Sequence, residues 1–333
     1  MEKAHTSSTN KPSPYLALGF FVLTVLLAAQ SSPLSSLSLT TFLTVAASGA
    51  TAAWLSSSVN LYVGLLSAVP VGAISYFLSG GSWNTVLFSL FYLVYGVTFT
   101  LVAKRRLTRA SAIGLSSILL SLFTILFLLV PVYNKQGSVS VNAIQNVYAD
   151  FFKALIDLLK KSFTLTVAGN EISYISDANI HTYLNLMIGM MPGMIALVWT
   201  LVGFVCGWCY RLLRRLSRQD PPEDSQWRLS PSPVTALFFG LAFFVSTIFE
   251  TVTHLWLAAI TLLLALIPEF CVAGLSSVFE VRYVMGLPRP RIFRGLLLLL
   301  GMFNGIGGLV VVSAIFGVTD SLRSAFPKKT NQA

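Results

Sequence analysis

Charged residues are scarce in this sequence. Asp, Glu, Lys and Arg together make up 10% of its 333 residues, while hydrophobic residues make up 55%. In a soluble globular domain about a quarter of the residues are usually charged. The composition therefore excludes an ordinary water-soluble protein and predicts a chain whose main surroundings are lipid.

Cysteine is also rare, with three residues in the chain. Cys206, Cys209 and Cys271 all lie in apolar stretches, so the sequence does not predict a disulfide framework. Cys206 and Cys209 have the spacing of a redox motif, but such motifs act at an exposed helix N-terminus. A pair that lies late in a membrane helix indicates a structural role instead.

Sequence motifs of the common enzyme classes are missing. The chain has no phosphate-binding loop, dinucleotide fingerprint, zinc-protease helix or nucleophile elbow. We therefore expect no catalytic residues, no cofactor and no metal site. Glu250 and His254 are spaced to share one helix face as an acid/base or metal-binding pair, but a polar turn explains them better because no further ligand motif accompanies them.

Basic residues exceed acidic ones, and the formal net charge is +10. An excess of this kind can indicate a nucleic-acid partner. Here the positive charges lie in connections between apolar runs, so we interpret them as a signal of membrane topology and as an attraction to anionic lipid headgroups, with no nucleic acid involved. The three clusters are Lys104, Arg105, Arg106 and Arg109; Arg211, Arg214, Arg215, Arg218 and Arg228; and Arg282, Arg289, Arg291 and Arg294.

The apolar runs predict an all-α fold, a polytopic transmembrane bundle of about 8–9 spans. Residues 1–14 are expected to form a disordered cytoplasmic tail. Residues 15–132 hold the first five spans, at 15–30, 37–55, 59–78, 85–103 and 113–132. Residues 184–318 hold the others, at 184–218, 234–249, 255–275 and 295–318, and 319–333 form a polar tail.

A cytoplasmic N-terminus in the plasma membrane places all three basic clusters on the cytoplasmic face, as the positive-inside rule requires. The same count places Arg323, Lys328 and Lys329 outside, against that rule. Span 5 is expected to stop at Pro131, because proline lacks the N–H that a helix interior needs.

The longest segment without a span is 133–183, an expected extracytoplasmic insert. Apolar residues recur at helical spacing over 144–162, with charged residues on the opposite side, which predicts an amphipathic helix lying on the membrane or covering the bundle. A short hairpin is expected to follow, with Thr164, Thr166 and Val167 before a turn at Ala168, Gly169 and Asn170, and with Ile172, Tyr174 and Ile175 after it.

Small residues crowd the second span. In lipid, small side chains let helix backbones approach each other. We therefore expect this helix to be buried in the bundle, through Ala46, Ala47, Gly49, Ala50, Ala52 and Ala53.

Glu269 is the most unusual polar residue of the apolar runs. It follows Pro268 in span 8, where a proline kink next to a carboxylate is typical of a cavity lining. The alternative is that Glu269 is hydrated at the headgroups or paired with an arginine. Further candidate linings are Asn60, Asn84, Asn185 and Asn304, the last framed by Gly301 and Gly305 in a GxxxG pattern.

Several short motifs together resemble the YybS-like family of predicted bacterial multi-span proteins, a domain-of-unknown-function family. They are Met191-Pro192-Gly193, Tyr210-Arg211-Leu212-Leu213-Arg214-Arg215, Trp227-Arg228-Leu229, Gly274-Leu275-Ser276, Leu287-Pro288-Arg289 and Phe316-Gly317-Val318-Thr319-Asp320-Ser321-Leu322-Arg323. The family is similar to the S components of energy-coupling-factor transporters. The resemblance implies separate ATPase subunits and a transmembrane coupling protein that docks on Ala46 and Ala50.

The leading functional hypothesis is a substrate-binding or transport component for a small molecule. Its cavity would be lined by Glu269 and Asn304 and capped by the 144–162 helix. The alternative is a non-transporting membrane scaffold for envelope assembly or division, with the basic loops and the outer helix as docking surfaces. A membrane-embedded enzyme that uses Glu250 and His254 is the third hypothesis.

Overall fold

The computed structural model of this chain describes ten stretches of residues and a few single positions. The stretches are 39–58, 68–78, 84–104, 106–162, 164–167, 170–173, 180–217, 231–249, 254–279 and 305–325. Their elements are α1 (Leu39–Ser58), α2 (Ala68–Leu78), α3 (Asn84–Ala103), α4 (Arg109–Gln136), α5 (Val141–Val147), α6 (Ala149–Ser162), β1 (Thr164–Val167), β2 (Asn170–Ser173), α7 (Ile180–Leu216), α8 (Pro233–Ile248), α9 (His254–Phe279) and α10 (Gly305–Ala325).

The helical fold class is confirmed for the described residues, where the two short strands are the exception. The predicted spans at 37–55, 85–103, 234–249 and 255–275 coincide with α1, α3, α8 and α9. By length and composition, three described helices are able to cross a bilayer, namely Arg109–Gln136, Thr182–Leu216 and His254–Leu275. The predicted tail 1–14, nearly all of span 1, much of the first half of span 3 and most of residues 295–304 of span 9 lie outside the described residues, so the number of spans stays a prediction.

The chain divides into two compact units. The first, which we call the basic unit, comprises residues 1–120, 197–237 and 266–333, and the second, the insert unit, comprises residues 121–196 and 238–265.

Close backbone contact between α1 and α3 organises the basic unit. A methyl group on Gly49 would lie 2.9 Å from Cδ2 of Tyr95, and one on Gly96 would lie 3.4 Å from Cβ of Ala52. The two helices therefore touch where α1 has its smallest side chains, as expected for helices that associate in lipid. The predicted burial of this helix is confirmed, and its Trp54 is fully buried as well.

Hydroxyl groups connect α3, α4 and the second half of α7 inside the same unit. Thr98 and Ser116 share a hydrogen bond of 2.9 Å, and Thr200 donates to Ser117 over 2.8 Å. Tyr95 donates to the carbonyl of Trp199 over 3.1 Å. Because water is absent from the bilayer core, such groups must find partners inside the protein, and here they join three helices.

Three helices extend beyond their predicted spans. α4 passes through Pro131, where span 5 was expected to stop, and continues to Gln136, because a proline in the last turns removes one hydrogen bond without preventing further helical residues. Gly137 follows its last residue, and its φ of +66° suits the position after a helix C-terminus. α7 begins at Ile180, and α10 extends to Ala325 beyond the predicted end of its span.

The predicted helix at 144–162 is divided into α5 and α6. Tyr148 ends α5 with φ −111° and ψ 27°, outside α-helical geometry, and its hydroxyl donates to the carbonyl of Leu128 over 2.7 Å. A sequence periodicity that continues across Tyr148 could not reveal this break. Apolar side chains on both sides of Tyr148 still belong to one cluster with α7. Phe152 is buried there with Leu184 and Ile188, and Ile144 and Ile156 pack against them.

The predicted hairpin is confirmed. β1 pairs with β2 in antiparallel register, with Thr164 opposite Ser173 and Val167 opposite Asn170. The second strand thus begins at Asn170, which the sequence pattern assigned to the turn.

Candidate functional site

Glu269 lies in α9, directly after Pro268 and within the basic unit. Only 8% of its surface is exposed, so the side chain is enclosed by protein in the middle of an apolar helix. Proline cannot donate a backbone hydrogen bond, which leaves a carbonyl one turn earlier without its helical donor. α9 therefore carries both the carboxylate of Glu269 and, one to two turns earlier, the carbonyl of Leu264 without its helical donor.

The helix face next to Glu269 packs tightly on α10. A methyl group on Gly317 would overlap the carbonyl of Phe270, and one on Gly274 would overlap the carbonyl of Ser313. The thiol of Cys271 donates to the carbonyl of Val310 over 3.2 Å. These contacts fix the two backbones against each other, so α10 holds α9 in place immediately beside the carboxylate.

Across the described stretches, no hydrogen bond or ion pair reaches the Glu269 carboxylate. The pairing with an arginine that the sequence left open is therefore not seen there. A buried carboxylate without a partner is costly in a bilayer, by about 3 kcal/mol or more when ionised. It can be neutralised by a proton or by a bound cation.

The second predicted lining residue, Asn304, lies outside the described residues. Gly305 begins α10 with φ +74°, a value outside α-helical geometry. Gly301 lies against the backbone of Gly308, whose carbonyl oxygen would be 3.0 Å from a methyl group on Gly301. The GxxxG pattern around Asn304 includes residues outside the described part of the chain and stays a prediction.

Ala46 and Ala50, the residues expected to dock a coupling partner, are completely buried against their own chain. They lie on α1, on either side of Gly49, which contacts Tyr95. A partner helix could reach these two methyl groups only if α1 left its own bundle.

The remaining polar candidates do not form a second site in the described part of the chain. Asn185 accepts a hydrogen bond from Gln145 over 3.1 Å, and Cys206 is fully buried as a free thiol. His254 is the first residue of α9, while Glu250 lies outside the described residues. Within those residues, no group of three His, Cys, Asp or Glu side chains is placed to hold a metal ion.

One polar network was not predicted from the sequence. Tyr210 donates to Ser57 over 2.9 Å and accepts from Arg214 over 3.3 Å. Trp54 donates to Ser217 over 2.9 Å. The available signal was the helical spacing of Tyr210, Arg214 and Ser217, which places the three side chains along one face of α7.

Comparison with curated proteins and with solved structures finds no match. A family model described as "Predicted membrane protein (DUF2232)" matches residues 19–321. The resemblance to a multi-span membrane family without an assigned function is thereby confirmed, while the likeness to S components stays a prediction. Because the match covers most of the chain, this protein belongs to the DUF2232 family of predicted membrane proteins.

Proposed function

We propose that the protein is an integral membrane substrate-binding or transport component, and that it binds a small cationic molecule or ion with Glu269 as the counter-charge. The observation that carries the proposal is the burial of this carboxylate, 8% exposed, in an apolar helix. Ionisable groups at such depth in a bilayer usually face a pathway or a cavity.

The surroundings of Glu269 favour a carboxylate that binds a ligand over one that has no binding role. Pro268 leaves the carbonyl of Leu264 without its helical donor, and carbonyl oxygens are suitable ligands for a cation. α10 holds the same part of α9 through the contacts at Gly274 and Gly317, so the oxygens are attached to a fixed backbone. A fixed site loses less entropy on binding than a mobile one.

The sequence holds no ATP-binding motif, so transport would draw its energy from an ion gradient or from a partner with ATPase subunits. A transmembrane coupling protein, if there is one, needs a docking surface other than Ala46 and Ala50, which are buried.

The test is a thermal-unfolding screen of the purified protein in lipid nanodiscs with inorganic cations, metal ions, organic amines and vitamins. A ligand at about 100 times its Kd stabilises a protein by about 2.7 kcal/mol. We expect at least one compound to raise the melting temperature of the wild type and of Asp157→Asn, a variant of an exposed acid. Glu269→Gln should lose this response. A panel without any effect, or an equal effect on Glu269→Gln, would refute the proposal.

The scaffold hypothesis is supported by a different observation. α5 and α6 expose apolar side chains, including Val141 and Phe151, and such groups are suited to contact another protein or the membrane surface. Co-purification from mild detergent separates the two functions. Partners with ATPase activity favour transport, whereas envelope-assembly or division proteins favour the scaffold.

A further inference from the structure

Arginine side chains from two helices meet at one end of the basic unit. Arg109 is the first residue of α4, while Arg211 and Arg214 lie in the last turns of α7. Arg109 crosses α7 at Gly207, where a methyl group would lie 3.1 Å from its Nε. Glycine at this position therefore allows the Arg109 side chain to lie directly on the α7 backbone.

Arg214 is held in place by the hydroxyl network. It donates to Tyr210, and the fully buried Tyr210 donates to Ser57 of α1. Ser217 donates to the carbonyl of Arg214 and accepts from Trp54. The end of α7 is thus fastened to α1 on both sides of Arg214, so this guanidinium group projects from a fixed position.

Arg109 and Arg211 repel each other. Arg109 lies against Gly207, and Arg211 follows Gly207 by one turn on α7, so two groups of the same charge are neighbours. The dipole of α4 adds to the repulsion, because the N-terminus of a helix is its positive end and Arg109 stands there. All three arginines are half-buried, so water screens their charges less than it would in the open, and an anion that reaches them is attracted more strongly.

We propose that Arg109, Arg211 and Arg214 bind the phosphate group of an anionic phospholipid. Guanidinium groups match phosphate oxygens through paired hydrogen bonds, which favours phosphate as the anion. The apolar surface beside the arginines favours a lipid over free phosphate. Trp208, 63% exposed, and Leu212, also exposed, lie within one turn of Arg211 on α7, where acyl chains would contact them. The site stands independently of a ligand at Glu269.

The test compares two double variants that remove the same charge. Arg109→Gln with Arg211→Gln changes the site, whereas Arg106→Gln with Arg215→Gln changes two exposed arginines of the same two segments. Each protein is delipidated in detergent and titrated with phosphatidylglycerol, phosphatidylcholine or inorganic phosphate. Binding is followed by native mass spectrometry and by the melting temperature.

We expect phosphatidylglycerol to bind the wild type more tightly than phosphatidylcholine does. Its affinity should fall about tenfold or more in the site variant, since two arginine contacts are lost, and much less in the control. An equal fall in both variants would show diffuse attraction and overturn the proposal. If inorganic phosphate raised the melting temperature as much as phosphatidylglycerol does, the assignment to a lipid would be overturned.

A third variant covers the case in which the site variant does not fold. Arg109→Lys with Arg211→Lys keeps both charges but loses the paired hydrogen bonds. We expect it to bind phosphatidylglycerol several-fold more weakly than the wild type does. Unchanged affinity would contradict the proposed recognition of phosphate.

Discussion

Gly274 and Gly317 allow α9 and α10 to touch at backbone distance beside Glu269. Replacing either glycine with alanine would place a methyl group on a carbonyl of the other helix, the carbonyl of Ser313 or that of Phe270. Overpacking of this kind usually costs about 1–3 kcal/mol. We predict that Gly274→Ala and Gly317→Ala each lower the free energy of unfolding by that amount, measured by unfolding in mixed micelles.

The matched control for this prediction is Gly307→Ala, in the same helix α10. A methyl group at Gly307 meets no atom within 4 Å, and alanine favours a helix over glycine by about 1 kcal/mol. The control should therefore be neutral or slightly stabilising. If all three variants lost the same stability, close contact between α9 and α10 would not be the cause.

Tyr148 joins the break between α5 and α6 to α4 through its hydrogen bond to the Leu128 carbonyl. Burial raises the pKa of Tyr148 above its ordinary value. As the pH rises past about 10, the phenol of the unfolded chain loses its proton first. The stability that Tyr148 contributes is therefore complete below that pH and is lost as the pH rises through the higher pKa of the folded protein.

We predict that Tyr148→Phe costs about 1 kcal/mol at pH 8, the value of one hydrogen bond, and that the difference from the wild type shrinks by pH 11. Unfolding measured at both pH values tests this prediction. Tyr133→Phe removes the hydroxyl of an exposed tyrosine and should change nothing at either pH. If the stability difference between the wild type and Tyr148→Phe grew from pH 8 to pH 11, ionisation of Tyr148 would affect stability in the direction opposite to the one predicted.

At the scale of elements, the segment formed by α5 and α6 packs on α7 through one face. Phe152 is buried against Leu184 and Ile188, whereas its neighbour Phe151 is 49% exposed. Loss of a buried phenylalanine side chain costs about 3 kcal/mol or more. We predict that Phe152→Ala increases hydrogen exchange over residues 141–162, while Phe151→Ala leaves it near the wild-type level. Equal exchange in both variants would mean that α5 and α6 do not pack as described.

The helices were predictable because apolar length and small-residue spacing are properties of the local sequence. α1 with its buried face, α3, α8 and α9 follow from these patterns. The interruptions were not predictable in the same way. Tyr148 separates α5 from α6, and its hydroxyl bonds to the carbonyl of Leu128, a distant contact that no local pattern encodes. α10 begins at Gly305 with φ +74°, and a glycine in a sequence does not reveal whether its φ is positive.

The candidate site was predictable only in part. Glu269 stands out in any apolar run because burying a charge is costly, and the structure buries it. The network around Tyr210 could not be predicted, because it brings together Ser57 and Trp54 of α1 with residues of α7 that lie far apart in the sequence. The burial of Ala46 and Ala50 likewise depends on which helix packs on that face.

At the scale of the whole molecule, two of the three basic clusters meet at the same end of the basic unit. Arg109 lies beside Gly207, one turn before Arg211 on α7, so the start of α4 and the end of α7 are neighbours. This agrees with the expectation that the basic turns share one side of the membrane. The third cluster, between Arg282 and Arg294, lies outside the described residues.

The central claim is that a membrane-embedded carboxylate binds a cationic ligand. Infrared difference spectroscopy of the protein in lipid measures this most directly, because carboxyl bands shift when a cation replaces a proton or joins a carboxylate. With a compound that stabilises the wild type, we predict a carboxyl difference band that is absent from Glu269→Gln and retained in Asp157→Asn. The same band in Glu269→Gln, or no carboxyl band in the wild type, would contradict the account.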